Sequence, residues 1–174
     1  LLNGLATVYA DNRKKKEKCQ NTDIGYDLLP DLSEYSDVLN NIIIIFLACL
    51  ILFRINRISD WDSIRDALIL LLFFRSICVF STNLIDAQNT PQKGIIETMT
   101  TGGSNDKVFS GHTTVSLVMC SILAKLYPNI GKYFFIFAIL QAILLVSTRG
   151  HYTVDVLLAF MLFYLYTNKT FILY

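Results

Sequence analysis

Two apolar stretches joined by a short turn separate the only two histidines of the chain, and this arrangement limits the fold more than any other feature. The first stretch leads from His112 to Tyr127, and the turn follows at residues 128–131. The second stretch ends at Thr148, three residues before His151. If one stretch crosses a membrane as a helix, the other returns across it. Both histidines are therefore predicted to lie at the same face of the membrane.

The composition supports a membrane interpretation. Hydrophobic residues make up 53% of the 174 residues and charged residues 17%, which is too apolar for an ordinary soluble domain of this size. In lipid each backbone group needs a partner within its own segment, so the apolar runs are predicted to be helices. We expect an all-α fold, a multi-pass membrane helical bundle in one domain over residues 1–174. The predicted spans are a partial one at 1–10, which we expect to be the end of a first helix that is mostly missing, and full ones at 37–54, 64–82, 113–127, 133–148 and 152–166.

Charge and cysteine content exclude few functions. The net charge of +1 indicates neither a nucleic acid nor an acidic partner. Basic residues divide almost evenly between the two predicted faces, so the positive-inside rule does not fix the orientation. The basic run at residues 13–18 is predicted to be a solvated loop, with anchoring to anionic lipid as the alternative. Three of the four cysteines lie in apolar runs, which is typical of small buried residues.

His151 and Asp155 are spaced i, i+4, which on one face of a helix places them about 6 Å apart along the axis. A carboxylate at this spacing can accept a hydrogen bond from one imidazole nitrogen and leave the other nitrogen basic. A nucleophilic or general-base histidine needs that arrangement. His151 is therefore a candidate nucleophile, with Asp155 as its support.

His112 opens the helix predicted after Ser110 and Gly111. The unpaired backbone donors of a helix start favour a bound anion, and these small residues let the backbone approach it closely. A phosphate between a nucleophilic and an acidic histidine is the simplest substrate that fits. The alternatives are two unrelated interfacial histidines, or a metal held by both histidines and Asp155, which the nearby basic residues oppose.

Basic side chains supply candidate donors for such a phosphate. Arg75 lies inside a predicted span, where a charge is costly unless it meets a partner or a wet cavity. The alternative for Arg75 is a side chain that snorkels to the interface. Arg149 offers a second guanidinium for phosphate oxygens, and Lys107 a point charge.

These segments resemble the signatures of the sphingomyelin synthase family. Residues 106–113 (DKVFSGHT) are similar to its first histidine signature, an aspartate, three variable residues and S-G-H-T. Residues 151–156 (HYTVDV) resemble its second, H-Y-T-x-D-V. Residues 75–77 look like the start of its arginine motif, and residues 23–27 (DIGYD) are similar to its acidic loop after the first helix. The resemblance covers nearly the whole chain in order and spacing.

The resemblance implies a six-helix membrane enzyme related to the lipid phosphate phosphatases. Such an enzyme moves phosphocholine or a similar head group from a glycerophospholipid to ceramide and releases diacylglycerol, in the Golgi, endoplasmic reticulum or plasma membrane. It implies that His151 attacks phosphorus with Asp155 behind it, and that His112 protonates diacylglycerol and then deprotonates ceramide. No cofactor or metal is implied. With Asp106 of the first signature included, the candidate phosphate-binding residues are Arg75, Arg149, Ser110, Gly111, Asp106 and Lys107.

Several alternatives stay open. The chain departs from the family at Thr22, at residues 104–105 and at residues 149–150, so the head group (choline, ethanolamine or inositol) and the acceptor (ceramide or diacylglycerol) are not fixed. Homo-oligomeric assembly is equally open. A lipid phosphatase would use water as acceptor, although leucine at position 145, where that superfamily usually has arginine, favours a transferase. A non-catalytic transporter or scaffold would use His151 and Asp155 as a proton relay.

Overall fold

The computed structural model of the chain describes residues 23–54, 58–81 and 108–172, and all regular structure within these ranges is helical. The all-α prediction is therefore confirmed. Residues 1–10 and 13–18, for which a partial helix and a basic loop are predicted, lie outside the described ranges. The helices are α1 (Ile24–Leu28), a 3-10 turn (Ser33–Tyr35), α2 (Ser36–Leu52), α3 (Ile58–Ser81), α4 (Gly111–Leu126), α5 (Gly131–Ser147) and α6 (Thr153–Ile172).

Each of the five predicted full spans corresponds to one of the helices α2 to α6. The largest difference at a helix start is in α3, which begins at Ile58 and not near residue 64. The added first turns are polar, so no apolar pattern marks them. Arg65 Nη1 lies 2.8 Å from Asp62 Oδ1, and such pairs one turn apart support the exposed start of a helix.

Helix α4 is the central helix of the described bundle, because it packs against α2, α3, α5 and α6. Its inward face is mostly apolar in the middle, where Leu117 and Leu123 are buried. Leu47 of α2 and Leu71 of α3 belong to the same core. Close packing of these side chains against one another holds α4 within the bundle.

Helices α4 and α5 form the predicted hairpin. They approach so closely at Gly131 that a Cβ there would lie 2.7 Å from Ala124 Cα. The start of α4 and the end of α5 therefore lie at one end of the hairpin. The backbone N–H of Ser110, just before α4, donates to the carbonyl of Asp155 in α6 at 3.2 Å. The two histidine-bearing segments thus meet at the same end of the bundle.

The apolar character of the helices extends to their outer faces. Among the described residues, one helical segment, Ser33–Leu52, has the length and hydropathy needed to cross a membrane. Three more apolar segments are shorter, namely Gly111–Leu126, Gly131–Ser147 and Thr153–Asn168. Ile45 of α2, Ile139 of α5 and Leu157 of α6 are among the large apolar side chains exposed on the bundle surface.

Candidate active site

His151 lies in the loop between α5 and α6, against the carboxylate of Asp155. His151 Nδ1 is 3.5 Å from Asp155 Oδ2, which is an ion-pair distance and longer than a good hydrogen bond. Asp155 is 1% exposed and His151 is 7% exposed. The spacing of four residues brings the pair together, but one detail of the prediction is wrong. His151 precedes the first residue of α6, Thr153, so the two side chains do not share a helix face.

Asp155 is positioned by the start of α6. The carbonyl of Tyr152 accepts from Val156 N–H, so Tyr152 is the residue that caps the helix. Asp155 Oδ2 in turn accepts from Tyr152 N–H at 3.0 Å. This return bond from the third helical residue to the cap is one half of a capping box, and the helix dipole favours a carboxylate there. The first turn of α6 therefore fixes the carboxylate that faces His151.

His112 is the second residue of α4 and is partly exposed. Ser110 caps this helix, because its Oγ accepts from Thr113 N–H at 3.2 Å. The hydroxyl of Thr113 donates to Ser110 Oγ at 3.0 Å, and the hydroxyl of Thr114 donates to the carbonyl of Ser110 at 2.9 Å. The sequence S-G-H-T-T thus builds a helix start whose cap uses local hydrogen bonds.

Arg75 reaches the same helix start from α3. It is 7% exposed, and its Nε donates to the carbonyl of Phe109 at 3.1 Å. A Cβ on Gly111 would lie 3.3 Å from Arg75 Nε, so the guanidinium packs directly on the glycine. Phe109 has a φ of 68°, in the left-handed region that is unfavourable for a bulky residue. The burial of Arg75 inside the bundle does not fit the alternative of a snorkelling side chain.

Arg149 makes its contacts with a different part of the chain. Its Nη2 donates to the carbonyl of Tyr26 at 3.0 Å and to that of Leu29 at 3.4 Å. Its Nε lies 3.6 Å from Asp31 Oδ2, and its guanidinium carbon lies 4.5 Å from the centre of the Tyr26 ring. Nη1 is buried with no hydrogen-bond partner among the described residues. Its proposed contact with substrate phosphate therefore stays a prediction.

Residues 23–31, which contain α1, form a segment that we name the clip. The clip lies over the loop that carries His151. Asp23 Oδ2 accepts from Thr153 N–H at 2.8 Å, and Asp23 Oδ1 accepts from the Thr153 hydroxyl at 2.6 Å. The Tyr26 hydroxyl donates to the carbonyl of His151 at 3.2 Å. Burial raises the pKa of Tyr26 above its usual value, so the hydroxyl keeps the proton that it donates.

The sequence did not reveal this role of the clip. Its resemblance to the acidic loop of the family singled out residues 23–27, but nothing in them indicates a partner at Thr153. The only local signal is an aspartate before a short helix, which predicts a cap and no more. Asp106 and Lys107 lie outside the described ranges, and their predicted contacts remain predictions. Within residues 23–54, 58–81 and 108–172, no group of three or more histidine, cysteine or acidic side chains is placed to hold a metal.

The site has the parts needed for chemistry on an anionic group. A histidine lies against a buried carboxylate. Near it, a capped helix start bears a second histidine, and a buried arginine from α3 packs against that helix start. No curated protein matches the chain. A family model does match one part of it. Residues 103–172, rather less than half of the chain but including both histidines and Asp155, match the PAP2 superfamily C-terminal family, and this match supports phosphatase or phosphotransferase chemistry on lipid phosphates.

Proposed function

We propose that this protein is a membrane phosphotransferase that moves a phospholipid head group, phosphocholine or a similar one, from a glycerophospholipid to ceramide. The observation that carries the proposal is the contact of His151 with the buried carboxylate of Asp155, at a helix start bonded to the segment that bears His112. The resemblance of both histidine segments to the sphingomyelin synthase signatures supplies the substrate class. The family match over residues 103–172 supports chemistry on a lipid phosphate.

In the first displacement, His151 attacks the phosphorus of the donor lipid. Its Nδ1 faces Asp155, so Nε2 is the nitrogen that forms the new bond to phosphorus. The bond from phosphorus to the diacylglycerol oxygen breaks, and His112 donates a proton to that oxygen. Diacylglycerol leaves, and the head group remains on His151 as a phosphohistidine. The carboxylate of Asp155 stabilises the positive charge that develops on the imidazole.

In the second displacement, ceramide takes the place of diacylglycerol. His112 is now neutral and removes the proton of the primary hydroxyl of ceramide. The resulting oxygen attacks phosphorus, and the bond to His151 Nε2 breaks. The head group is then on ceramide, and both histidines have returned to their starting protonation states. One site therefore serves both steps.

Phosphate oxygens would be held at the start of α4. The N–H groups of a first helical turn and the dipole of the helix attract an anion. At this helix start Arg75 packs against Gly111, and the arginine is almost fully buried in the bundle. A guanidinium in a site of low polarity stabilises the additional charge of a five-coordinate phosphorus strongly.

The bundle is proposed to cross the membrane several times. Apolar side chains cover the outer faces of α2, α5 and α6, and contact with lipid tails removes the cost of exposing them to water. The α4–α5 hairpin then puts His112 and His151 at one membrane surface, where a phospholipid head group and the ceramide hydroxyl both lie. The proposed location in the Golgi, endoplasmic reticulum or plasma membrane rests only on the resemblance to the sphingomyelin synthase family.

A lipid phosphatase is the second candidate, because the family match over residues 103–172 supports phosphatase as well as phosphotransferase chemistry. The first displacement would follow the same course on a lipid phosphate monoester. Water would replace ceramide in the second, with His112 removing its proton, and inorganic phosphate would leave. The two candidates therefore share the phosphohistidine and differ in the donor and in the acceptor.

A transfer assay separates these candidates. Membranes that contain the full-length protein receive labelled ceramide, labelled diacylglycerol and mixed unlabelled phospholipids. A labelled lipid that carries a phospho-head group supports transfer, and its identity shows which acceptor is used. Water-soluble phosphate without a labelled product would instead support the phosphatase. If membranes with His151→Ala give the same products at the same rate, both candidates are wrong.

A donor with a better leaving group tests the two histidine roles. A p-nitrophenyl ester of phosphocholine releases an anion that needs no proton, so the first displacement no longer needs an acid. We expect His112→Ala to retain the rapid release of p-nitrophenolate and His151→Ala to lose it. Rapid release by His151→Ala would contradict the assignment of the nucleophile.

A further inference from the structure

We propose that the clip is the element that positions His151 for attack, with Asp23 and Tyr26 as positioning residues. This inference rests on the proposed role of His151 as the nucleophile. It concerns residues outside the segment matched by the family model, which begins at residue 103. The clip and His151 are far apart in the sequence and come into contact in the folded chain.

The clip is bonded to the chain on both sides of His151. Two residues after it, the N–H and hydroxyl of Thr153 donate to Asp23. Two residues before it, the guanidinium of Arg149 donates to carbonyls of the clip. At His151 itself, the carbonyl accepts from the Tyr26 hydroxyl, and the ring of Tyr26 stacks on Tyr152 with 5.3 Å between ring centres. The clip thus contacts the loop before, at and after His151.

Both backbone polar groups of His151 are engaged. Its N–H donates to the carbonyl of Leu145 at 3.2 Å, and its C=O accepts from Tyr26. The peptide groups on either side of the residue cannot rotate without losing one of these bonds. The imidazole can then move only about its own side-chain bonds, and the carboxylate of Asp155 lies at the Nδ1 edge of the ring. Near-attack geometry is sensitive to displacements of about 1 Å, so this restriction bears directly on rate.

Asp23 links the starts of two helices. Its Oδ1 accepts from Gly25 N–H at 2.9 Å and from Tyr26 N–H at 3.3 Å, at the start of α1. The same carboxylate accepts from Thr153, the first residue of α6. Since the first turn of α6 holds Asp155, a displaced α6 start would displace the partner of His151 as well. One carboxylate therefore sets the position of the nucleophile and of its support.

The clip also fits closely against its neighbours. A Cβ on Gly25 would overlap the hydroxyl of Thr153 and lie 2.6 Å from Val146 Cγ1. Gly25 is buried, so any side chain there would lift α1 away from α5 and α6. Gly25→Ala should therefore release the clip without changing a polar group. It provides a steric test that is independent of Asp23.

The chain offers matched controls for each variant. Asp23→Asn removes one negative charge next to α1, and Asp27→Asn removes the same charge from an exposed residue of the same helix. Tyr26→Phe removes the hydroxyl that bonds His151, and Tyr35→Phe removes an exposed one. A general effect of charge or of tyrosine loss would alter both members of a pair. Positioning alters only the first member.

The kinetic test uses the full-length protein and the p-nitrophenyl donor. The burst amplitude counts the active molecules, and the burst rate reports attack by His151. We expect Asp23→Asn and Gly25→Ala to lower the rate about 10- to 100-fold at an unchanged amplitude, with a smaller loss for Tyr26→Phe. A lower amplitude at an unchanged rate would mean that the clip only stabilises the fold, and would overturn the proposal.

A second measurement does not depend on catalysis. Diethyl pyrocarbonate modifies imidazoles, and mass spectrometry can follow the chain's two histidines separately. Asp23→Asn and Tyr26→Phe should raise the modification rate of His151 several-fold and leave that of His112 unchanged. Equal changes at both histidines, or none, would overturn the positioning role. If wild type has no transferase or phosphatase activity but His151 responds as expected, the function is wrong and the clip still holds this residue.

Discussion

The helix start that carries His112 is capped by its own neighbours in the sequence, whereas the loop that carries His151 is bonded to the clip, which is remote in the sequence. Ser110 accepts from Thr113, three positions later. Thr153 donates to Asp23, which lies 130 positions earlier. The first arrangement forms as soon as α4 forms. The second exists only after the clip has docked, so the two histidines depend on different parts of the folding process and can be disturbed separately.

The two segments also share a feature. A non-glycine residue with positive φ precedes each histidine, Phe109 at 68° and Arg149 at 58°. Such a conformation costs roughly 1–3 kcal/mol and persists where surrounding contacts enforce it. At Phe109 these contacts are complete burial and a hydrogen bond from Arg75. At Arg149 they are the bonds of its side chain to the clip. The local segment is thus supported by the core, and the remote one by the clip.

The largest effect is expected for Asp155→Asn, because the carboxylate of Asp155 is the charged group that faces His151. An asparagine keeps an oxygen to accept from Tyr152 N–H, so the start of α6 should survive. It loses the charge that stabilises the imidazolium and can present an amide to His151. By analogy with other carboxylate–histidine pairs, we expect the burst rate with the p-nitrophenyl donor to fall by about 10³- to 10⁴-fold.

The double variant Asp155→Asn with His151→Ala provides the control. Residues that act as a unit are not additive, so the double variant should be no slower than His151→Ala alone. The release of p-nitrophenolate by His112→Ala should, in contrast, remain sensitive to Asp155→Asn. A full additional loss in the double variant would show that Asp155 acts apart from His151.

A smaller effect is expected at Arg149, where backbone strain and side-chain contacts can be separated. Arg149→Ala removes the bonds to the clip and leaves a Cβ in the left-handed region. Arg149→Gly removes the same bonds but accepts the backbone conformation. Glycine should therefore be more stable than alanine by about 1 kcal/mol, read from the two melting curves in detergent.

Both variants at Arg149 should also raise the diethyl pyrocarbonate reactivity of His151 and leave that of His112 unchanged, because only the segment of His151 relies on the clip. If the melting temperature of the glycine variant is equal to or below that of the alanine variant, the positive φ of residue 149 is not a source of strain. A rise at both histidines would mean that the two segments are coupled more tightly than their contacts indicate.

The sequence predicts the locally determined parts of this molecule well. Apolar runs locate α2, α4, α5 and α6 because each helix buries one face of such a run in the core. The spacing of His151 and Asp155 brings them together, although through a capped helix start and not through a shared helix face. Ser110 before His112 indicates the start of α4, since serine is a strong cap.

The remaining parts depend on contacts that no local pattern encodes. A buried phenylalanine at positive φ contradicts local preference, so Phe109 could be found only in the folded chain. An arginine at position 149 indicates a phosphate-binding residue by its type alone. In the folded chain its guanidinium instead makes three polar contacts with the clip. The pairing of Asp23 with Thr153 joins residues whose sequences show no common pattern. These are the contacts on which the segment of His151 relies.

The smallest effect is expected at Asp31, at the outer end of the clip. The N–H of Ser33 donates to Asp31 at 3.0 Å and lowers the pKa of this carboxyl below 3.8, with Arg149 adding to the effect. A carboxyl whose pKa is lower in the folded chain stabilises the fold at pH values above its pKa in the unfolded chain. This stabilisation is lost as the pH falls through its pKa in the folded chain. Asp31→Asn should therefore lower the melting temperature by only about 1 °C between pH 5 and pH 7, because Asp31 is exposed. The difference from wild type should disappear as the pH falls through the folded pKa, and Glu34→Gln, at another exposed acid, serves as the control. A difference that persists unchanged down to the lowest pH at which the protein stays folded would show that Asp31 holds the clip by its shape and not by its charge.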